Sequence, residues 1–516
     1  MPVNVNNPIY LKDFYKVGHF EQYPKGTSLV FSNFTPRKSR MTSAEREIVN
    51  GSVFFGIQYF MEHLLVDLFD NFFNHDLVLE EYQNFMQQKL WTSCEFEHIG
   101  KLKSLRYLPI AIHALPEGVF VPCGVPALVI YNTHPDFYWL PNMLETIMSC
   151  TLWGACTAAT VASEYRNILD RYAAKTSDMP EFVDYQAHDF SFRGMFGLDA
   201  AILAGMAHLH YFKGTDNIPA IIASEKHYVK QGVCSVPATE HSVMCAGGQE
   251  NELETFKRLI TEIYPDGIVS IVSDTWDLWN VVDNYLPLLK DLIMKRNGKV
   301  VIRPDSGYPS DIICGAPANP YQLYGSFTTL KHIETRESQK RKGLIEKLWD
   351  IFGGTVNSKG YKQLDPHIGA IYGDSITPGI AEEICKRLKN KGFASTNIVF
   401  GVGSYSYQYH TRDTLGWAMK ATYAEINGQP TTLFKNPKTD DGTKKSHKGL
   451  LKVVREQGIH KGLPWRPHGK DKYSVKEDVS WSEFHAEDNE LKLIYRDGVI
   501  KTETCVLLKE RYYEET

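Results

Sequence analysis

Four short segments carry residue types that could handle a phosphorylated sugar. Asp189-Phe190-Ser-Phe-Arg193-Gly sets an aromatic ring and an arginine just beyond a short apolar run. Lys213-Gly-Thr-Asp216 puts a carboxylate on a turn, and Ser235-Val-Pro-Ala-Thr-Glu240-His241-Ser presents one histidine. Ile302-Arg303-Pro-Asp305-Ser-Gly307 spaces a cation and an acid two apart, so on an extended chain both face one side. Such a pair could clamp an anion and hold a sugar hydroxyl or a metal. Each segment alone also has an ordinary structural reading. Phe190 fits a core, Asp216 an Asx turn or helix cap, and Arg303 with Asp305 a surface ion pair. His241 is one of 18 histidines. Together they supply cations for a polyanion, acids for Mg²⁺ or hydroxyls, an aromatic face and a histidine. That inventory suits transfer from a sugar phosphate better than proteolysis or hydride transfer.

Other signatures are missing. No GxxxxGK[ST] loop occurs, which argues against a Walker-type nucleotidase. Gly401-Val-Gly403-Ser404-Tyr-Ser begins like a dinucleotide fingerprint but lacks its third glycine. Successive backbone N–H groups there could still nest a phosphate.

The elements that must position these residues show a rhythm between about 185 and 405. Short apolar runs end in charged or small residues: Asp184–Asp189, Ile268–Asp274, Lys299–Asp305, Gly369–Asp374 and Asn397–Gly403. Such runs, bounded by Gly, Pro and Asp, predict buried strands. Helices follow several of them. Thr377 and Pro378 predict an N-cap and first helical position, with Gly392 past the C-terminal end, and a second helix is expected over about Trp276–Lys295. Alternating strands and helices predict a mostly parallel sheet. In α/β barrels the chemistry collects where strands end, which here brings forward Asp189, Asp274, Arg303, Asp305 and Asp374. The first 145 residues read as mixed α/β, with extended stretches at Ser28–Phe34 and Leu105–Leu115. The expected division is 1–150, a barrel over 151–415, and a C-terminal part over 416–516 that packs with the N-terminal one. Lys435–Lys448 reads as a solvated loop or an anion-binding lid.

Composition sets the outer limits. The chain has 516 residues, 43% hydrophobic and 23% charged, with a net charge of −5. That balance provides neither the basic footprint of nucleic-acid binding nor a polybasic membrane anchor. Thr146–Ser163, although uncharged and interrupted by Gly154, predicts a buried core helix. The nine cysteines form no CxxC pair and are expected as reduced, mostly buried thiols. The N-terminus lacks a secretory pattern, so the expectation is a soluble, cytoplasmic protein.

Taken in order, HDFSFRG, FKGTDN, SVPATEHS, VSDTWD, IRPDSG, YGDS and TRD, with DFYKVGHFEQYP near the start, resemble the nicotinate/nicotinamide phosphoribosyltransferase family, and its nicotinamide branch in particular. The resemblance runs over nearly the whole chain. It implies an irregular type II α/β barrel joined to a second α/β domain built from both chain ends. The implied reaction condenses nicotinamide with phosphoribosyl pyrophosphate to the mononucleotide and pyrophosphate, with Mg²⁺ and stimulation by ATP. It also implies a homodimer with shared sites. Phe190 and the partner's Tyr15 would sandwich the ring, and Asp216 would accept from the carboxamide. Arg193 and Arg303 would hold phosphate and ring-side groups. Asp305 would be the ribose-side acid, supported by Asp274. Gly373, Asp374, Gly403 and Ser404 would hold ribose and 5′-phosphate, and Arg37 and Arg412 the pyrophosphate. His241 matches the histidine that ATP phosphorylates.

Ser404 stands where the family usually has a glycine, which adds a Cβ where backbone approaches phosphate. Two rival readings follow. One is a nicotinate phosphoribosyltransferase, which Asp216 opposes by like charge. The other is a non-catalytic binding or signalling protein on the same fold, which has no need of His241, Asp216, Arg303 and Asp305 together.

Overall fold

In chain order the principal elements begin with β1 (Thr27–Pro36), β2 (Ile110–Ala114) and β3 (Leu128–Asn132), then the 37-residue helix α1 (Leu140–Thr176). Next come β4 (Ala187–Asp189), α2 (Leu198–Tyr211), β5 (Gly214–Thr215), α3 (Ile218–Tyr228), α4 (His241–Gly247) and β6 (Asp266–Val272). They continue with β7 (Asn297–Arg303), β8 (Ile368–Tyr372), α5 (Pro378–Asn390), β9 (Ile398–Val402) and α6 (Ser404–Gln408). The last are β10 (Trp417–Ile426), β11 (Gln429–Thr432), β12 (Lys492–Arg496) and β13 (Val499–Ile500). This computed structural model describes residues 7–44, 47–74, 78–90, 96–228, 232–316, 342–435, 446–456 and 472–501.

Two sheets organise these elements. The first, in order β11-β10-β1-β3-β2-β12-β13, is antiparallel throughout and joins strands from both chain ends. The second, β5-β4-β9-β8-β7-β6, is parallel throughout. The segment 234–239 spans its two edges. Cys234 bridges Gly214 of β5, and Ala238 bridges Ser270 of β6, both in parallel. Ser270 N–H donates to the Pro237 carbonyl at 2.9 Å and Thr239 N–H to the Ser270 carbonyl at 3.0 Å. The sheet thus closes into a barrel whose last stave is a few bridges wide. That is the irregularity, and Pro237, which has no N–H to give, is part of its cause.

The expected elements appear with local corrections. Only Ala187–Asp189 of Asp184–Asp189 is strand; Val183–Gln186 is a helical turn. Its polar side chains are tied down, Asp184 by Arg166 and Lys213, and Gln186 by the Ser395 and Ile398 carbonyls. Leu105 ends a helix, so the strand in Leu105–Leu115 starts at Ile110. Thr377 caps α5 by accepting from Ile380 N–H, with Pro378 first in the helix. The second expected helix starts at Leu278, capped by Asp277. Gly154 does not interrupt α1, where a Cβ would meet nothing within 4 Å. Among the seven described cysteines, all free, Cys156, Cys314 and Cys385 are buried, while Cys150, Cys234 and Cys245 are exposed. The expectation of mostly buried thiols therefore fails. Cys94, Cys505 and residues 436–445 of the lysine-rich stretch lie outside the described residues. No described helix is long and apolar enough to cross a membrane.

One buried acid ties the two halves. Glu117 accepts from the backbone N–H of Gly56 and Ile57 at the start of a helix, the latter at 2.8 Å, and from Tyr228 of α3 at 3.1 Å. Burial raises its pKa to about 7 despite these donors. The unfolded chain releases this proton near the ordinary 4.5, so between pH 4.5 and 7 the folded state binds more protons. Stability therefore falls as pH rises through that window. We expect Glu117→Gln to remove about 3 kcal/mol of that loss, read by denaturant melts from pH 4.5 to 7.5; parallel curves for the two proteins would exclude this role.

Candidate active site

Strand alternation decides which residues meet at the C-terminal mouth of the barrel. On β4 and just beyond it, His188 and Phe190 line the interior cavity, which has a volume of about 380 Å³. Asp189 lies between them and points away. It is fully buried and accepts from Ser191 N–H at 2.8 Å, so its expected place among the strand-end acids is corrected to a structural one. On β7, Arg303 faces the cavity as Val301 does.

The Phe190 ring lies over two glycines. A Cβ on Gly401 would fall 2.4 Å from the ring and one on Gly373 2.9 Å from it. No side chain fits at either position, so β8 and β9 present bare backbone beneath the ring. Arg303 covers the ring from another side, its guanidinium carbon 5.1 Å from the centroid. This is a cation–π arrangement, and it leaves the arginine donors free for an anion.

Asp216 closes the cavity wall beside Phe190. His188 Nε2 lies 2.9 Å from its Oδ1, and Ser235 Oγ donates to the same oxygen at 2.5 Å. Burial raises the Asp216 carboxyl pKa. The two hydrogen bonds, the His188 charge and Arg303 outweigh this and hold it below the usual carboxylate range. The site therefore presents an ionised acceptor at the cavity wall.

A second group of acids gathers beside this wall. Asp274 Oδ2 accepts from Asp305 N–H at 2.8 Å and Ser306 Oγ at 2.6 Å. Its Oδ1 is buried without a partner. Burial raises the Asp305 pKa, with Asp274 and Asp374 adding to the effect and Arg303 and His241 opposing it. His241, the first residue of α4, is exposed, with Nδ1 3.2 Å from Thr275 Oγ1 and Nε2 3.9 Å from Asp305 Oδ2. Asp374 is exposed and accepts from Ser375 Oγ at 2.8 Å. Gly403 precedes α6, which opens with Ser404. Ser404 Oγ fills the space over Gly194, where a Cβ would approach to 2.0 Å. Gly194 thus makes room for the hydroxyl, and Arg193 is exposed beside it.

Tyr15, Arg37 and Arg412 fall elsewhere. The Tyr15 ring meets His19 and Lys16, and Arg37 donates through Nε to the Gly416 carbonyl at 3.3 Å. Burial lowers the Lys420 pKa, Glu145 opposes this, and Arg37, Arg412 and Lys16 lower it further. These four cations form one basic set around Lys420 of β10. Among the described residues no contact joins Tyr15, Arg37 or Arg412 to Phe190, Asp216 or Asp305. Sequence reading missed Lys420, Lys16, His188 and Ser235. Lys420 follows TRD by seven residues, a spacing that signals nothing without the sheet. His188 and Ser235 stood inside quoted segments, and strand alternation with Phe190 would have singled out His188.

Known proteins can now be set beside this geometry. Residues 185–479 match the nicotinate phosphoribosyltransferase family, and residues 7–112 match the N-terminal domain of nicotinamide phosphoribosyltransferase. A nicotinamide phosphoribosyltransferase of Acinetobacter baylyi is 48% identical, over 87% of this chain and 89% of the relative. One of Mycoplasma pneumoniae is 37% identical over 83% and 92%. The structure of human nicotinic acid phosphoribosyltransferase superposes with a TM-score of 0.57 at 15% identity, covering 98% of this chain and 93% of that one. The last likeness concerns the fold alone: a type II phosphoribosyltransferase barrel with its accompanying α/β domain. The chain belongs to the nicotinate phosphoribosyltransferase family and is a pentosyltransferase.

The bare backbone under Phe190 has a measurable consequence. Overpacking costs about 1–3 kcal/mol, so Gly401→Ala should raise the KM for the ring-bearing substrate about tenfold or more. An unchanged KM in a folded variant would show that the ring position is not held there.

Proposed function

We propose that this enzyme makes nicotinamide mononucleotide and pyrophosphate from nicotinamide and phosphoribosyl pyrophosphate, a salvage step toward NAD carried out in the cytoplasm. The observation that carries the choice of substrate is the ionised Asp216, held by His188 and Ser235 at the cavity wall. It can accept from a carboxamide N–H₂, whereas a carboxylate there meets like charge. The relatives' names agree with this reading.

The pyridine nitrogen carries its own lone pair, so no general base is needed. The chain must place the ring, stabilise positive charge developing at the ribose C1, and neutralise the departing pyrophosphate. In this reading Phe190 is one face of the ring clamp. Arg303 and Arg193 hold phosphate and ring-side groups. Asp305, supported by Asp274, faces the ribose, and Gly373, Asp374, Gly403 and Ser404 hold the ribose and its 5′-phosphate. Mg²⁺ would enter on the pyrophosphate, since this ion is commonly held by one or two carboxylates plus substrate phosphates. The unpartnered Asp274 Oδ1 and the crowded Asp305 and Asp374 fit that arrangement. The described residues contain no three-ligand cluster that would hold a metal unaided.

Tyr15, Arg37 and Arg412 enter this reading from a second copy in a homodimer, as the other ring face and the pyrophosphate contacts. Their basic set and the exposed Phe196, Leu198, Ile218 and Ile222 support a shared interface. The barrel, 151–415, would then carry the chemistry, while 1–150 with 416–516 would serve the partner's site. ATP would phosphorylate His241, whose exposed ring stands beside Asp305, and so couple ATP hydrolysis to tighter substrate binding.

The test offers nicotinamide or nicotinate with phosphoribosyl pyrophosphate and Mg²⁺, and identifies products by mass. Mononucleotide from nicotinamide alone is expected, with Asp216→Ser narrowing the preference for amide over acid at least about tenfold. Product from nicotinate alone would move the function to the acid-specific branch. For the ATP role, His241→Ala should lose ATP stimulation while keeping ATP-independent synthesis. Equal loss of both rates would refute a phosphorylated His241.

A further inference from the structure

A second cavity, with a volume of about 170 Å³, lies where the two halves of the chain meet. Met41, Val49 and Phe120 reach it from the N-terminal part, and Val161 and Glu164 from α1. The start of α5 and the short helix α6 supply the rest of the wall. None of Phe190, Asp216, Arg303 or Asp305 lines it.

The charge of this wall is one-sided. Glu164 is its carboxylate, and neither a lysine nor an arginine faces it. Glu164 Oε1 accepts from Ala44 N–H at 3.1 Å. Among the described residues Oε2 has no hydrogen bond, and the carboxylate has no ion pair. His410, also in the wall, does not offset the charge, because burial lowers its pKa, with the Ser406 carbonyl opposing. Three hydroxyls of the wall are spent on backbone carbonyls. Thr160 Oγ1 donates to Cys156 and Ser163 Oγ to Thr160, both at 2.7 Å, and Ser406 Oγ to Ile376 at 2.9 Å. A helix start can draw an anion, but that of α5 has part of its donor set closed off. Pro378 has no N–H, and Thr377 Oγ1 accepts from Ile380 N–H at 3.3 Å.

Two tyrosines stand at the rim. Tyr405 and Tyr409, one turn apart, line the cavity and stack with ring centroids 4.9 Å apart and planes 17° apart. They are 57% and 74% exposed, so the cavity reaches solvent beside them. Aromatic rings attract a cation through their negative faces, and the remaining wall is apolar. A bare Mg²⁺ or Ca²⁺ ion wants more oxygens than one carboxylate gives. A neutral molecule would take Glu164 out of water with no charge to compensate it. A cation that carries its own apolar shell meets every part of the wall.

We propose that this cavity binds a small organic cation, an alkylated ammonium. Its charge pairs with Glu164 and lies near the Tyr405 and Tyr409 rings, while its apolar shell packs against Met41, Val49 and Val161. The site stands independently of the reaction at the mouth of the barrel.

The experiment is calorimetric titration of the full chain, at constant chloride, with choline and with 3,3-dimethyl-1-butanol, its uncharged twin. Choline should bind at least about tenfold more tightly than the alcohol. Glu164→Gln keeps an oxygen for Ala44 N–H and removes only the charge. It should weaken choline about tenfold or more and leave the alcohol unchanged. Choline that binds no better than the alcohol, or equally well to Glu164→Gln, overturns the site. Should Glu164→Gln fail to fold, Tyr409→Leu, at a mostly exposed position, decides. It should weaken choline about threefold or more with the alcohol level, and equal changes for both ligands overturn the proposal as well.

Discussion

The ring of Phe190 can lie where it does only because two neighbouring strands carry no side chain beneath it. Gly373, just after β8, and Gly401, near the end of β9, sit side by side against the ring, and Arg303 from β7 approaches it from another side. Three strands of a parallel sheet thus agree on one ring position. The acids and turns of the mouth start from the residues that immediately follow those strands, so their spacing follows from that of the strands. A shift of one residue in the register of β8 or β9 would replace a glycine by a side chain and lose the ring's seat.

The second constraint is closure. A six-stranded parallel sheet with helices outside it has two open edges, and here a single extended segment joins them at Cys234 and Ala238. The same segment supplies Ser235 to Asp216 and then delivers His241 to the mouth at the start of α4. Structure and chemistry share one stretch of chain, which explains why so little regular strand is found in it.

Much of this was legible before any coordinates. The apolar runs ending in Asp, Arg or Gly marked five of the six barrel strands, and Thr377-Pro378 marked the start of α5. The residues of the mouth were legible as a set because strand ends in a barrel converge. What stayed hidden depended on contacts between distant parts of the chain. Asp189 looked like its neighbours among the strand-end acids, and only the pleat turns it toward α2 and α3. The start of Asp184–Asp189 reads as strand by composition, yet Arg166 and Lys213 hold it in a helical turn. Lys16 and Lys420 belong to one basic set because both reach Glu145 of α1, a meeting no local pattern contains. The closing segment carries too few ladder bonds, and a proline, to look like a strand at all.

The order of strands in the antiparallel sheet also has a consequence for how the chain is made. Strands β1, β2 and β3 are complete within the first 132 residues, and β3 pairs with both of the others. The other edge of β1 is covered by β10, with partners such as Ser28 and Glu425 lying 397 residues apart. At about 5–20 residues per second, the ribosome delivers that partner roughly 20–80 seconds later. The far edge of β2 waits longer still, for β12. During that interval the nascent sheet exposes two unpaired edges rich in Val, Ile and Phe, the kind of surface that recruits other strands. The barrel, made wholly in the meantime, is the neighbour at hand while those edges stand open. Vectorial synthesis therefore finishes the barrel before the sheet that begins the chain.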